Sequence, residues 1–293
     1  MIILSIDVII FLQDFRNVFF DFFFSFISFL GEEYVYIFFL SIVYYTYDKK
    51  MGEFLAITLG LSATVNTILK NIVCAPRPFE KYPTLVENLR PETSLGNSFP
   101  SGHTQNFSTV LFSLSFYKNK LAFFYVSTVL VLLMMLSRMY LGVHFLEDVV
   151  VAGILGLIIA YFLNKLYNKY YDNSVILHRI YFFIVLLVLP FVFLLNGEDF
   201  FKSYGLLIGF VLGIIIEKKY INFSVNVKLT HKVIRVFLGM VIMVGIQQGF
   251  KILFGIIAED GSNLMNVLDM IRYFLIAFTG FGVYPFLFKK FKF

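Results

Sequence analysis

Long apolar segments recur along the whole chain, and they restrict the folds that it can adopt. Of its 293 residues, 59% are hydrophobic and 15% are charged, a composition outside the range of soluble globular domains. A helix needs about 20 apolar residues to cross the hydrocarbon core of a bilayer. Blocks of this kind lie at residues 15–31, 33–47, 52–74, 101–116, 121–138, 145–164, 180–196, 203–216, 233–256 and 266–288. The sequence therefore predicts an integral membrane protein with nine or ten spans.

These blocks do not alternate between polar and apolar residues, as the strands of a membrane barrel would. We therefore expect an all-α fold, a polytopic transmembrane helical bundle. The first residues, MIILSIDVIIFL, have neither a basic start nor a small-residue cleavage site, and we interpret them as part of a membrane anchor. The single cysteine, Cys74, cannot form an internal disulfide.

The loops between the apolar blocks differ in charge. In the segments 31–33, 76–100, 196–200 and 258–263, acidic residues match or outnumber basic ones. The alternate loops hold most of the remaining basic residues, namely Lys49, Lys50, Lys118, Lys120, Lys165, Lys169, Arg179, Lys218, Lys219, Lys228, Lys232, Lys289, Lys290 and Lys292. The positive-inside rule assigns this second set and the C-terminus to the cytoplasm, and the first set to the outside. Glu32 and Glu33 are then interpreted as solvated residues of an outer loop.

Three polar patches interrupt the apolar sequence at helix ends on this outer side. The first combines Lys70 with PRP at 76–78, the second is PSGH at 100–103, and the third is SRMYLGVHFLED at 137–148. Because consecutive spans alternate in direction, the three helix ends can meet at one face of the membrane. The connection 76–100 carries five of the seven prolines, and a loop of this length in a compact bundle is usually functional or disordered.

The residue types in these patches favour an anion pocket. A lysine within apolar sequence needs a partner or water, and arginine forks suit phosphate or carboxylate oxygens. A helix that starts at Pro100 also offers backbone N–H groups without carbonyl partners in its first turn. The donors are Lys70, Arg77 and Arg138, together with the backbone of Ser101, Gly102 and His103. A phosphate is the anion that this set suits best.

The spacing of His144 and Asp148 adds a second kind of chemistry. If the helix has begun by His144, these residues at i and i+4 share a helix face, and the carboxylate can fix the imidazole tautomer and raise its basicity. A histidine oriented by a carboxylate beside a phosphate pocket has the arrangement of an activated nucleophile. His103 is then available as the general acid that protonates the leaving oxygen.

The three patches together resemble the three-part signature of the type 2 phosphatidic acid phosphatase superfamily, which also includes soluble vanadium haloperoxidases. The matching residues are Lys70-x6-Arg77-Pro78, Pro100-Ser101-Gly102-His103 and Ser137-Arg138-x5-His144-x3-Asp148. No motif position departs from the pattern, and the signature covers residues 70–148. The segment YYTYDKKMG at 44–52 further resembles a bacterial branch with extra helices after a six-helix core. The resemblance implies a membrane phosphatase core at 1–170 and about four additional transmembrane helices at 171–293.

The resemblance also implies a reaction and its residues. His144 would attack phosphorus to form a phosphohistidine, Asp148 would orient His144, and His103 would act as the acid. No metal and no cofactor would take part. The three equatorial phosphoryl oxygens would be held by Lys70, Arg77, Ser101, Gly102 and Arg138.

We therefore expect a multi-pass protein of the cell membrane that hydrolyses a lipid phosphate or diphosphate at an outward-facing site. Undecaprenyl diphosphate is the first substrate expected, because an external site suits recycling of the spent cell-wall carrier, and phosphatidylglycerophosphate or phosphatidic acid comes next. The expected partners are this substrate and membrane lipids, with no nucleic acid, and the oligomeric state is left open. The alternative is a non-catalytic lipid transporter, scramblase or scaffold that binds anionic headgroups. The presence of an acid and a nucleophile, His103 and His144, argues against it.

Overall fold

The computed structural model describes residues 2–291, with side chains from Ile6 onward. Lys292, assigned above to the cytoplasmic side, lies outside the described residues, as do Met1 and Phe293. The described part of the chain forms helices and no β-strand, which confirms the all-α prediction. The α-helices are α1 (Ile2–Asp14), α2 (Val18–Phe29), α3 (Glu33–Ile42), α4 (Lys49–Val73), α5 (Pro78–Lys81), α6 (Gly102–Lys118), α7 (Leu121–Tyr140), α8 (Leu146–Tyr170), α9 (Ser174–Val188), α10 (Glu198–Ile216), α11 (Leu229–Ile257), α12 (Asn263–Phe278) and α13 (Pro285–Phe291). Single turns of π-helix follow α3, α10 and α12.

Fewer helices qualify as membrane spans than the sequence predicts. By length and composition, seven stretches within residues 2–291 can cross a membrane, and the count rises to eight if α2 and Glu33–Tyr47, which meet at a bend of 55°, form one broken span. Each predicted apolar block does form helix, but α2 has 12 residues and α6 has 17. At about 1.5 Å per residue, neither reaches the roughly 30 Å of a hydrocarbon core. The chain is a multi-span integral membrane protein.

Local sequence signals set the limits of α6, which opens beside the polar patches. Ser101 is its N-cap residue, and the Ser101 hydroxyl accepts hydrogen bonds from the N–H of Thr104 at 3.5 Å and from the Thr104 hydroxyl at 3.1 Å. Asn119, with a φ of 49°, ends the helix in the left-handed conformation, which asparagine tolerates better than most residues. Polar caps at both ends therefore position PSGH at the first turn of α6.

Contacts divide the chain into two compact units. The first contains the residues up to Val35 together with Val65–Leu163, and the second contains Tyr36–Thr64 and the residues from Asn164 onward. Every candidate site residue belongs to the first unit. Its core has two main clusters, one in which Ile9 of α1 packs with Met139, Phe145 and Val149, and another around Met134 of α7.

In the second unit, α10 and α12 pack closely because α10 presents glycines every four residues. A Cβ at Gly205 would lie 2.2 Å from the carbonyl oxygen of Met270, and one at Gly209 would lie 2.6 Å from that of Phe274. Any side chain at either position would push the helices apart. Small residues at such spacing allow the close helix contacts that stabilise membrane bundles.

Candidate active site

The first unit brings the three polar patches together. Lys70 lies in the last turn of α4, Arg77 precedes α5, and Arg138 lies in the last turn of α7. His144 is in the loop between α7 and α8, and Asp148 is in the first turn of α8. Direct contacts join the patches: Nη1 of Arg77 lies 3.4 Å from Nε2 of His144, and the N–H of Ser101 donates to the carbonyl oxygen of Asp148 at 3.1 Å.

The imidazole of His144 is buried and has a different partner on each nitrogen. Nδ1 lies 3.2 Å from Oγ of Ser98 and 3.4 Å from Oδ2 of Asp148. Nε2 faces the guanidinium of Arg77. Because a carboxylate can only accept and a guanidinium can only donate, these partners favour a proton on Nδ1 and a free lone pair on Nε2.

Burial and charge keep this imidazole neutral. Burial lowers the pKa of His144 well below its ordinary value of 6.5, and the positive charges of Arg77 and Arg138 lower it further. An imidazole with this environment is unprotonated at neutral pH. Its Nε2 lone pair is therefore available to attack an electrophile.

Asp148 is held by donors as well as by its place in the helix. Its Oδ2 accepts from the backbone N–H of Phe145 at 2.8 Å and from the hydroxyl of Ser98 at 2.5 Å. The contact between Ser98 and Asp148 is thus shorter than the contact between Asp148 and His144. Ser98 lies just before PSGH, but its role cannot be predicted from the sequence, because no pattern indicates that a loop serine reaches α8.

The cations Lys70 and Arg77 are fixed by backbone carbonyls of the segment 95–98. Nε of Arg77 donates to the carbonyl oxygen of Gly96 and Nη2 donates to that of Leu95, both at 2.8 Å. Nζ of Lys70 donates to the carbonyl oxygen of Asn97 at 2.8 Å. Gly96 has a φ of 66°, which glycine adopts without strain. The long loop therefore contributes the backbone that positions the two cations.

Arg138 and His103 have buried side-chain nitrogens without a hydrogen-bond partner among the described residues. Arg138 is fully buried, and its Nη1 donates to the hydroxyl of Ser28. Within the described residues, Nε and Nη2 of Arg138 and Nε2 of His103 have no hydrogen-bond partner. Buried groups of this kind are rarely left unpaired in proteins. They match an anion with several oxygens, such as a phosphoryl group.

The junction between α2 and α3 also contributes to the site. Besides Ser28, it supplies Gly31, where a Cβ would lie 3.0 Å from Cδ2 of His103. Glu32 forms an ion pair with Arg90 of the long loop. The interpretation of Glu32 as a solvated loop residue is therefore wrong, because its carboxylate has a cationic partner and its side chain is only 20% exposed.

The first turn of α6 differs in one respect from the sequence prediction. The sequence predicts that the N–H of Ser101 lacks a carbonyl partner, but this N–H donates to the carbonyl oxygen of Asp148. A Cβ at Gly102 would lie 3.2 Å from Oδ1 of Asn66, so this glycine permits a close approach of α6 and α4.

Among residues 2–291, no group of three or more His, Cys, Asp or Glu residues could hold a metal ion.

Comparison with protein families identifies the class to which this fold and site belong. The model of the PAP2 superfamily matches residues 53–172, and a model of the PAP2 superfamily phosphatase transmembrane extension matches residues 201–293. Together the two matches span more than half of the sequence. The chain belongs to the PAP2 superfamily, which confirms the resemblance found in the sequence.

Individual relatives share only part of the chain. A probable sphingosine-1-phosphate phosphatase of Dictyostelium discoideum is 27% identical over 192 residues, which cover 61% of this chain and 46% of the relative. Phosphatidylglycerophosphatase B of Bacillus subtilis is 31% identical over 127 residues, which cover 40% of this chain and 58% of the relative. The chain thus spans about half the length of these curated relatives. The crystal structure of Aquifex aeolicus LpxE aligns with 55% of this chain and 95% of its own, at 30% identity and a TM-score of 0.48.

Proposed function

We propose that the protein is a membrane phosphatase that hydrolyses a lipid phosphate or diphosphate without a metal ion. The main support is the neutral imidazole of His144, whose Nε2 faces Arg77 while Asp148 and Ser98 lie at Nδ1. The unpaired nitrogens of Arg138 and His103 could donate hydrogen bonds to the phosphoryl oxygens. The two named relatives act on different lipids that share a phosphate group.

The proposed reaction has two steps. In the first, Nε2 of His144 forms a bond to phosphorus, the bond from phosphorus to the lipid oxygen breaks, and His103, in its protonated form, gives a proton to that oxygen. In the second, water attacks the phosphohistidine, the bond from phosphorus to Nε2 breaks, and His103 takes the proton from the water. Inorganic phosphate leaves and the enzyme returns to its starting state.

The remaining residues would stabilise the charge of the transferring group. Most catalysis of phosphoryl transfer comes from positioning and electrostatic stabilisation. We assign the equatorial phosphoryl oxygens to the side chains of Lys70, Arg77, Arg138 and Ser101 and to the backbone N–H of Gly102. Asp148 would orient His144 and stabilise the positive charge that His144 acquires on attack.

For the substrate, we propose undecaprenyl diphosphate first, and phosphatidylglycerophosphate or phosphatidic acid next.

The protein would lie in the cell membrane with the active site facing outside and the C-terminus in the cytoplasm. Glu32 and Arg90 form an ion pair, so the junction 28–33 and the loop 76–100 lie on the same side of the first unit. This agrees with the charge pattern, which assigns both segments to the outer side.

The test is phosphate release by the purified full chain in detergent, with EDTA present and each of the three lipids offered in turn. We expect release by the wild type, loss of release in His144→Ala, and no effect in the matched control His231→Ala, since His231 lies in α11 of the other unit. Undiminished release by His144→Ala would overturn the proposal, and so would complete loss of wild-type activity on chelation. Lipid flipping in vesicles that does not need His144 would favour the transporter or scramblase instead.

A further inference from the structure

Ser98 is a buried residue outside the three-part signature that contacts two proposed catalytic groups. Its side chain has no exposed surface. Its hydroxyl lies 2.5 Å from Oδ2 of Asp148 and 3.2 Å from Nδ1 of His144. The backbone N–H of Ser98 donates to the carbonyl oxygen of Ala75 at 2.8 Å, which fixes the residue against the end of α4.

The direction of these hydrogen bonds follows from the groups involved. An ionised carboxylate only accepts, so the Ser98 hydroxyl donates its single proton to Asp148. The oxygen of Ser98 then has lone pairs left for the Nδ1 proton of His144. Nδ1 of His144 and Oδ2 of Asp148 are 3.4 Å apart, which is long for a hydrogen bond between them. Ser98 offers the imidazole proton a nearer acceptor.

We propose that Ser98 is a positioning residue that links Asp148 to His144. It acts through these two residues, because its hydroxyl lies on the Nδ1 side of the ring, away from Nε2. When Nε2 bonds to phosphorus, the imidazole becomes positively charged and keeps its Nδ1 proton. Ser98 holds this proton in place, and the carboxylate of Asp148 polarises the hydroxyl.

The inference rests on the proposed function and concerns one link within it. Loss of orientation at a reacting nitrogen lowers the rate of the chemical step more than the affinity for substrate. For Ser98→Ala we therefore expect kcat to fall about 10- to 100-fold with KM nearly unchanged. Competitive inhibition by inorganic phosphate should remain, because the cations Lys70, Arg77 and Arg138 are intact.

Three further variants separate positioning from a structural effect. Ser98→Thr keeps the hydroxyl and should retain more activity than Ser98→Ala. The double variant Ser98→Ala with Asp148→Asn should be no slower than Asp148→Asn alone, since both changes break the same link. Ser108→Ala is the matched control, because Ser108 is also a fully buried serine that donates to a protein oxygen, the carbonyl of Gly153 at 2.8 Å. It should keep the wild-type kcat.

The results that would overturn the inference differ from those that would overturn the function. If His144→Ala abolishes activity but Ser98→Ala keeps the wild-type kcat, Ser98 is not a positioning residue and the phosphatase proposal stands. Ser98 is likewise not a positioning residue if the effects of Ser98→Ala and Asp148→Asn on kcat multiply in the double variant. The same conclusion follows if Ser98→Thr has no higher kcat than Ser98→Ala. Full activity of His144→Ala would instead defeat the proposed function itself.

Discussion

Nη1 of Arg77 lies between Nε2 of His144, at 3.4 Å, and the carbonyl oxygen of Val143, at 3.0 Å. Its other two guanidinium nitrogens each donate to a carbonyl of the segment 95–98 at 2.8 Å. The guanidinium plane is therefore fixed on three sides, with one edge facing Nε2 of His144. A lysine would keep the positive charge but could not reproduce this fork.

From this geometry we predict that Arg77→Lys lowers kcat/KM by about 100-fold, because a misplaced cation no longer aligns the phosphoryl group with Nε2. Steady-state kinetics on purified protein would measure the change. The matched control is Arg16→Lys, since Arg16 pairs with Asp21 and Glu87 and is 32% exposed. Equal kcat/KM for Arg77→Lys and wild type would show that the fork is unimportant.

The pH dependence of kcat/KM should report the ionisation of His144. Protonation of Nε2 removes the attacking lone pair, and burial together with Arg77 and Arg138 lowers the pKa of His144 below 6.5. As the pH falls, activity should therefore persist below pH 6.5 and decline only at the lowered pKa. Arg77→Gln removes one cation and should move the decline to higher pH. Profiles from about pH 4 to pH 8 would test both expectations. If kcat/KM of the wild type already declines above pH 6.5 as the pH is lowered, the assignment of this ionisation to His144 is contradicted.

Much of the site could be predicted because its residues have distinctive chemistry. His144 and Asp148 are four residues apart, with His144 just before α8 and Asp148 in its first turn. Arg77 and Arg138 are costly to bury without a function. Ser28, Gly31, Glu32 and Ser98 could not be predicted in this way. Their roles depend on which loops meet in space, and serine, glycine and glutamate are common in loops that have no catalytic function.

The fold shows the same division between local pattern and long-range packing. Apolar blocks predict helices well because a membrane leaves few alternatives for the backbone. The number of spans is harder to predict, since α2 and α3 are apolar enough to look like two spans although they meet at a bend of 55°. Ser28, before the bend, contacts Arg138, and Gly31, at the bend, lies against His103. No pattern within residues 18–47 indicates these contacts.

The hydrogen bond between Ser28 and Arg138 predicts an effect on anion affinity. Ser28 is the acceptor for Nη1 of a fully buried guanidinium. Ser28→Ala should leave Arg138 less well oriented and raise the Ki of inorganic phosphate about 3- to 10-fold, within the range of about 0.5–1.5 kcal/mol for a typical hydrogen bond. The control is Ser113→Ala, because the Ser113 hydroxyl is buried and has no hydrogen-bond partner among the described residues. A Ki that is the same in both variants would show that Ser28 does not orient Arg138.

Glu32 should oppose anion binding through its ion pair with Arg90. It follows Gly31, which approaches His103, so its negative charge lies near the pocket. Glu32→Gln removes that charge and leaves Arg90 without its carboxylate, and the Ki of phosphate should fall about 2- to 5-fold at low ionic strength. Glu87→Gln is the control, since its 65% exposed carboxylate pairs with Arg16. A Ki that rises in Glu32→Gln would mean that the pair supports the pocket.

Gly31→Ala should slow the reaction through His103. The added Cβ would lie 3.0 Å from Cδ2 of His103 and 3.2 Å from Cε of Met134. The methionine can move away because its chain is flexible, but the ring of His103 would have to shift. We expect kcat to fall about tenfold as the acid leaves its position. At Gly249 of α11, where a Cβ would meet no atom within 4 Å, the same substitution should leave kcat unchanged.

Adding Met134→Ala to Gly31→Ala would identify the contact responsible for this loss. The shorter side chain at residue 134 removes the methionine contact and leaves the contact with His103. If the displaced imidazole causes the loss, kcat should stay low in the double variant, because Met134→Ala removes only the contact with Met134. A return of kcat to the value of Met134→Ala alone would assign the loss to packing between the junction 28–33 and α7, and would leave His103 without support as the residue affected.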